Sequence, residues 1–372
     1  MAIRAHHGDT PSAQAPQAEM PDELHPRHLA VRVLEVAAII AVVAIAITAL
    51  PGLDEVKARL EDADPVWVVA VALAEVGSCL GYLVVFRATF CSQMSWGLSY
   101  DIAMSEQAAN SLLPTGGAGG LALGVWALRE AGMPTAHIAR RTVAFFVITS
   151  AANFFALIVV GIGVFLGIIA GKGSAVLTLV PALITAFGAL LAGLSPRLLR
   201  TLGQRGGEAN RETFGGRVRR ITRALLVATA DGVDTAISLL RSHSIGAIVG
   251  SFAYMAFDIA ALAFGFAAVG QVPTFGALVL GYLIGQLGNL VPLPGGIGGT
   301  EGALVGAFAL YGVNVSEAAA AVLIYRLFQL TIPALLGAPA FVMLRRRLMR
   351  EDKPAAVCAP LGAEVVKLPA RS

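Results

Sequence analysis

The strongest constraint on this chain is a short phrase that it contains twice. Gln107-Ala-Ala-Asn110-Ser-Leu-Leu-Pro114-Thr-Gly-Gly-Ala-Gly-Gly120 returns, roughly 180 residues later, as Gln286-Leu-Gly-Asn289-Leu-Val-Pro292-Leu-Pro294-Gly-Gly-Ile-Gly-Gly299. Aligned without a gap, Gln107, Asn110, Gly116, Gly117, Gly119 and Gly120 fall on Gln286, Asn289, Gly295, Gly296, Gly298 and Gly299. Both copies sit inside apolar sequence. Matched Gly/Pro interruptions in corresponding halves of such a chain point to membrane helices broken at a binding site.

Composition agrees with a membrane setting. Of 372 residues, 56% are hydrophobic and 14% charged, which excludes an ordinary soluble domain. Apolar runs at 33–51, 66–86, 142–170, 174–194, 245–270 and 318–344 each supply about the 20 residues that a spanning helix needs. The expected fold is an all-α integral membrane protein with about six full spans. Residues 1–28, polar and rich in Pro, His and Ala, read as a disordered cytoplasmic tail, 29–345 as the membrane domain and 346–372 as a second cytoplasmic tail. The six histidines show no metal-ligand spacing, so no metal is assigned. No cofactor and no nucleic-acid partner are called for.

Charge sets the orientation. The loop 54–64 is net acidic, whereas Arg87, Arg129, Arg140, Arg141, the arginines between 197 and 223, and Arg345-Arg346-Arg347 mark other connections. Positive charge belongs on the cytoplasmic side. With the N-terminus inside, Arg87 and the stretch 129–141 are both cytoplasmic, so segment 100–128 must enter and leave on one side. By the same count, segment 274–312 enters and leaves from outside. Each is hinged at its glycine run. The chain therefore reads as two repeats of opposite orientation, 66–170 and 245–344, each a span, a re-entrant helical hairpin and a span, joined by a basic cytoplasmic linker at 195–242. Within that linker, residues 217–241 set Val218, Ile221 and Leu225 against arginines, as an interfacial amphipathic helix does, and a solvated linker is the alternative. The plainer reading of the glycines is close helix packing, as for Gly77-x-x-x-Gly81 and Gly246-x-x-x-Gly250.

The motifs also carry a family resemblance. Asn-x-x-x-Pro-x-Gly-Gly-x-Gly-Gly at 110–120, Pro294-Gly-Gly-Ile-Gly-Gly-Thr-Glu301-Gly-Ala and the following Tyr311-Gly312, Glu317-Ala318 and Tyr325-Arg326 resemble the membrane region of the lysylphosphatidylglycerol synthase, or flippase-like, family. The resemblance spans most of 33–345 and implies lipid handling: in that family the region is associated with moving aminoacylated phospholipid between leaflets. Bifunctional relatives add a soluble aminoacyl-transfer domain, for which the residues after Arg345 leave little room. Many relatives carry an acidic-basic pair on the helix after the first hairpin, where this chain reads Thr142-Val-Ala-Phe145-Phe146.

A site follows from the residues themselves. Helices starting at Leu121 and Thr300 would aim N-termini, with their free N–H groups, into the membrane interior, and such termini bind anions. The candidate substrate-binding set is Asn110, Gly116, Gly117, Gly119, Gly120, Asn289, Gly295, Gly296, Gly298, Gly299, Glu301 and Arg326. For Gln107, Gln286, Asn110 and Asn289 the competing role is to satisfy backbone groups freed at the breaks. Glu75, Asp258, Glu301 and Arg326 lie deep in apolar segments, where an isolated charge costs about 2.5–3.5 kcal/mol. Arg326 is expected to meet either a headgroup or Glu301, and Glu75 and Asp258 are candidates for coupling to a proton gradient.

Three functions remain open on the sequence. The first is a transporter moving a phospholipid or other anionic-headgroup lipid between leaflets. The second is an intramembrane enzyme acting on a phospholipid or polyprenyl-phosphate headgroup. The third is a non-catalytic membrane regulator. No nucleophile or metal constellation supports the enzyme. The expected partners are membrane lipids, with assembly of identical chains left open, in a bacterial-type inner (cell) membrane with both termini cytoplasmic.

Overall fold

A computed structural model describes residues 53–112, 118–171, 174–204, 214–241, 244–290 and 298–349. These form α1 (Asp54–Glu61), α2 (Pro65–Phe90), α3 (Trp96–Leu112), α4 (Ala118–Glu130), α5 (Thr135–Phe165), α6 (Ala175–Gln204), α7 (Phe214–Arg241), α8 (Ile245–Val269), α9 (Phe275–Gly285), a 3₁₀ turn (Gln286–Leu290), α10 (Gly299–Leu310) and α11 (Val315–Leu348). Among the described residues there is no strand.

Helices α2, α5, α8 and α11 are long and apolar enough to cross a membrane. They coincide with four of the expected spans. The run 33–51 lies outside the described residues, as do tail residues 1–28 and 350–372, and the run 174–194 falls on α6, whose apolar part, Ala175–Leu190, is shorter. Polar caps fix where the long helices begin. Asp64 accepts from Val66 N at 2.9 Å ahead of Pro65, and Asn314 accepts from Ser316 N at 2.9 Å and Glu317 N at 3.3 Å. The Asn314 cap starts α11 ahead of the apolar run at 318. At its other end α11 continues through Arg345-Arg346-Arg347 to Leu348, past the expected tail boundary at 346, since cations suit a helix C-terminus.

The stretch expected as a linker is helical, and part of it belongs to the bundle. Ala230, Val233 and Ala236 of α7 are buried, and a Cβ on Gly232 would strike Val143 of α5. The second half of α7 thus packs on protein and is neither a solvated linker nor an interfacial helix along its whole length. Its small residues permit the approach.

The two repeats are visible element for element. The order α2, α3, α4, α5 recurs as α8, α9, α10, α11, and each hairpin ends on a left-handed glycine, Gly132 at φ 87° and Gly312 at φ 80°. Helices α2 and α8 cross where neither carries a side chain: Gly81 rests on the backbone of Tyr254, and a Cβ on Gly250 would lie 2.5 Å from Val85 N. Residue numbers rise along α2 as they fall along α8, so the helices are antiparallel. The first helices of the two repeats thus run in opposite directions. Each hairpin then packs on the last helix of the other repeat: α3 presents Met104 O and Ala108 to Gly337 of α11, and Gly276 N at the start of α9 donates to Ala170 O, just beyond α5, at 2.9 Å.

The four helices of the hairpins are short. At 1.5 Å per residue, α4, α9 and α10 are about 20, 16 and 18 Å long and α3 about 25 Å, all short of the ~30 Å hydrocarbon core.

Candidate functional site

The second hairpin builds its site from a helix N-terminus. Gly298, at φ 90°, supplies a left-handed cap that a residue with a Cβ rarely adopts, and Glu301 folds back so that its Oε2 accepts from Gly298 N at 2.6 Å. The carboxylate thereby occupies the anion position at the start of α10. Its other oxygen, Oε1, accepts from Arg326 Nε at 2.7 Å, an ion pair whose arginine side chain is 9% exposed and whose glutamate is 19% exposed. The helix terminus expected to receive a headgroup directly is thus occupied by its own Glu301, which in turn holds the guanidinium.

From Arg326 a polar chain runs toward the α2–α8 crossing. Arg326 Nη1 donates to Gln329 Oε1 at 2.5 Å, and Gln329 Nε2 donates to Asp258 Oδ1 at 3.3 Å and to the hydroxyl of Tyr325. Tyr325 OH donates to Asp258 Oδ1 at 3.0 Å, and Tyr282 OH donates to Asp258 Oδ2. On the far side, Glu75 of α2 meets Asp258 of α8 carboxyl to carboxyl. Glu75 and Asp258 are 2% and 5% exposed. Four ionisable residues singled out by their apolar context, Glu75, Asp258, Glu301 and Arg326, are therefore one connected cluster near the middle of the long helices.

The first hairpin is built differently. Asn110 Oδ1 accepts from Gly120 N at 3.1 Å, and a Cβ on Gly120 would overlap that side chain and the Glu106 carbonyl. Asn110 thus caps the start of α4 across the break, the structural role weighed for it, and Gly119 and Gly120 are buried. Gly124 lies under the carboxyl of Glu106, which accepts from Tyr82 OH at 3.1 Å. Gln107 reaches the phenol of Tyr254, whose ring stands edge-on to that of Tyr82 with centroids 5.5 Å apart. These two tyrosines connect the first hairpin to the crossing. Where relatives carry charge after the first hairpin, Phe145 packs edge-on to Tyr82 at 5.2 Å, and Phe146 is exposed. The repeats are alike in backbone and unlike in charge.

The calls on Gly116, Gly117, Gly295 and Gly296, and on the side chain of Asn289, lie outside the described residues; the backbone of Asn289 is in the 3₁₀ turn. The sequence reading passed over Gln329, Tyr282, Tyr325, Glu106 and Tyr82. Gln329 was within reach of helical spacing, since it stands three and four residues after Arg326 and Tyr325 on one face. Tyrosines count as apolar in a hydropathy reading, and Glu106 lies in a segment polar enough to hide it.

Polar ties also close the ends of the bundle. Arg347 Nε of α11 lies 2.9 Å from Asp101 Oδ2 of α3. At the opposite end of α11, Glu317 Oε1 accepts from Gln271 N at 2.7 Å, and Arg59 of α1 donates to Val269 O at 3.3 Å. Hydrogen bonds from Ser316 and then Arg59 hold the Glu55 carboxyl below its ordinary value of 4.5. Tyr311, after α10, donates to Leu177 O at 2.7 Å and is pushed up to about 12 by burial, so it stays a donor at neutral pH.

Comparison with known proteins follows the same outline. A UPF0104 membrane protein of Methanothermobacter thermautotrophicus is 35% identical to this chain over 119 residues, covering 32% of this chain and 34% of that protein. The aligned part thus spans about a third of that relative. The family described as "Lysylphosphatidylglycerol synthase TM region" matches residues 33–337, nearly the whole of the repeat architecture. With four long apolar helices and that match, the chain is a helical membrane protein belonging to the lysylphosphatidylglycerol synthase transmembrane-region family.

Proposed function

We propose that this protein moves a lipid with an anionic headgroup between membrane leaflets, the headgroup passing between the second hairpin and α11 while its chains stay in the bilayer. The observation that carries this reading is the Glu301–Arg326 ion pair at the hairpin joint. Ionisable groups at such depth are costly and mark pathways. A lipid phosphate offers the guanidinium two oxygens where Glu301 offers one, Oε1, so it exchanges with the carboxylate. Glu301 keeps its bond to Gly298 N meanwhile and reclaims Arg326 when the headgroup leaves. The exposed apolar side chains of the second hairpin and α11, including Leu287, Leu310 and Leu335, face the lipid chains. The protein sits in this reading as a multi-pass protein of a bacterial-type inner membrane with both termini cytoplasmic.

The test is a proteoliposome assay with headgroup-labelled anionic, zwitterionic and aminoacylated lipids. Anionic lipid should cross without change of mass. Arg326→Ala and Glu301→Gln should each slow it by about tenfold or more, matching loss of a charged hydrogen bond worth about 1.5–3 kcal/mol. Wild-type rates in both folded variants would remove the site, and lipid of altered mass would favour intramembrane chemistry instead.

A further inference from the structure

We propose that Glu75 and Asp258 form a proton-carrying carboxyl pair which couples proton movement to lipid movement at Arg326, an inference that rests on the transport reading above. The pair sits where the inverted repeats cross, one carboxyl from the first helix of each. Two carboxyls in contact inside a low-dielectric interior do not both stay ionised, since like charges at that range repel strongly and neither is hydrated. One proton between them resolves this.

Among the described residues, the surroundings supply one cation, Arg326. The titratable side chains facing the pair are Cys79 and Tyr82 from α2, Tyr254 from α8, Tyr282 from α9, and Tyr325 and Arg326 from α11, with Glu301 of α10 beyond Arg326 and Glu106 of α3 beyond Tyr82. Arg326 is the cation of this set, and it is engaged by Glu301. A second observation is independent of that count: Glu75 Oε1 is buried and has no hydrogen-bond partner among the described residues. A carboxyl oxygen in that state carries charge without a donor to offset it, so the neutral, protonated form is favoured there.

Gln329 makes the coupling local. Its carbonyl accepts from Arg326 and its amide donates to Asp258, so one side chain bears on both groups. A second proton arriving from one aqueous side forms an O–H bond on the carboxylate that the first leaves ionised. Asp258 then accepts less strongly from Gln329, whose amide loosens its hold on Arg326, and the guanidinium exchanges Glu301 for a headgroup more readily. When the headgroup leaves, the O–H bond breaks and the proton departs to the other side. Nothing is oxidised or reduced.

The experiment uses the full chain in vesicles of anionic phospholipid, with a headgroup-labelled anionic lipid and a luminal pH dye. A one-unit pH gradient, a tenfold ratio of proton activity, should speed wild-type lipid movement by up to about tenfold, and the dye should report proton flux only while lipid moves. In Glu75→Gln the ratio of rates with and without the gradient should fall to one. If Glu75→Gln halts lipid movement altogether, Glu75→Asp decides: a retained gradient response supports the pair and a lost one overturns it. Wild-type movement indifferent to the gradient, or a Glu75→Gln protein that still responds, would refute the coupling alone. No lipid movement by wild type at any pH would refute the transport reading as well.

Discussion

Arg326 is the residue on which most of the site converges, and its energetics separate a buried pair from an ornamental one. Removing one partner of a buried ion pair leaves an uncompensated charge, whereas removing both does not. Arg326→Ala should destabilise the protein by about 3 kcal/mol, the low end of the buried-pair range because Glu301 is partly exposed, and Arg326→Ala/Glu301→Ala by less than Arg326→Ala alone. Unfolding in detergent measures both, and equal losses would show the pair to be energetically idle. Gly250 makes a second residue-scale test, since Val85 N leaves no space for a Cβ there. Gly250→Leu should cost about 3 kcal/mol or more through overpacking at the crossing, against little change for Gly302→Ala, where nothing lies within 4 Å. Single residues were legible where they broke a rule: Glu75, Asp258, Glu301 and Arg326 stand out as charges in apolar runs. Their partners were not, because Asp258 finds Tyr325 and Gln329 at separations of 67 and 71 residues, which no local pattern encodes.

At the scale of elements, hydropathy and breaks marked almost everything the structure forms. The runs at 66–86, 142–170, 245–270 and 318–344 became α2, α5, α8 and α11, with ends moved by caps such as Asp64 and Asn314 that hydropathy does not register. The glycine runs marked two helical hairpins. Residues 217–241 read as a helix, but the packing of its second half on the bundle was not legible, because Asp231 and Asp234 give it the look of a surface helix, while its buried stripe consists of Ala230, Val233 and Ala236. Helix α1 gives a pH test. The Glu55 carboxyl is held below its ordinary value by Ser316 and Arg59, so its contribution is present above about pH 4.5 and lost as pH falls through the lowered folded value. Amide protection in α1 and the first turn of α11, the intrinsic exchange rate relative to the observed rate at the same pH, should therefore fall on acidification toward pH 3, and less so in Glu55→Gln. Identical pH dependence in both would show that the tie does not hold α1.

For the whole molecule, the antiparallel crossing of α2 and α8 and the exchange of hairpins between repeats make one arrangement that each half needs the other to complete. The arginine bias along the chain predicts an inversion, and the antiparallel glycine contacts of α2 and α8 are compatible with it. Charge does not follow the symmetry: the second hairpin sets Glu301 against Arg326 of α11, and the first sets Glu106 against Tyr82 of α2. That asymmetry lay beyond the repeated motif, whose Gln, Asn and Gly are shared by both halves.

The inversion itself is open to one direct measurement. Thr135 and Val315 are the equivalent first residues of α5 and α11, each exposed after the left-handed glycine that ends its hairpin. With native cysteines replaced by serine, Thr135→Cys and Val315→Cys chains in oriented membrane vesicles are treated with a membrane-impermeant maleimide. Labelling from opposite sides, Thr135 from the cytoplasmic face and Val315 from the other, is the predicted result. Labelling of both from the same side would contradict it.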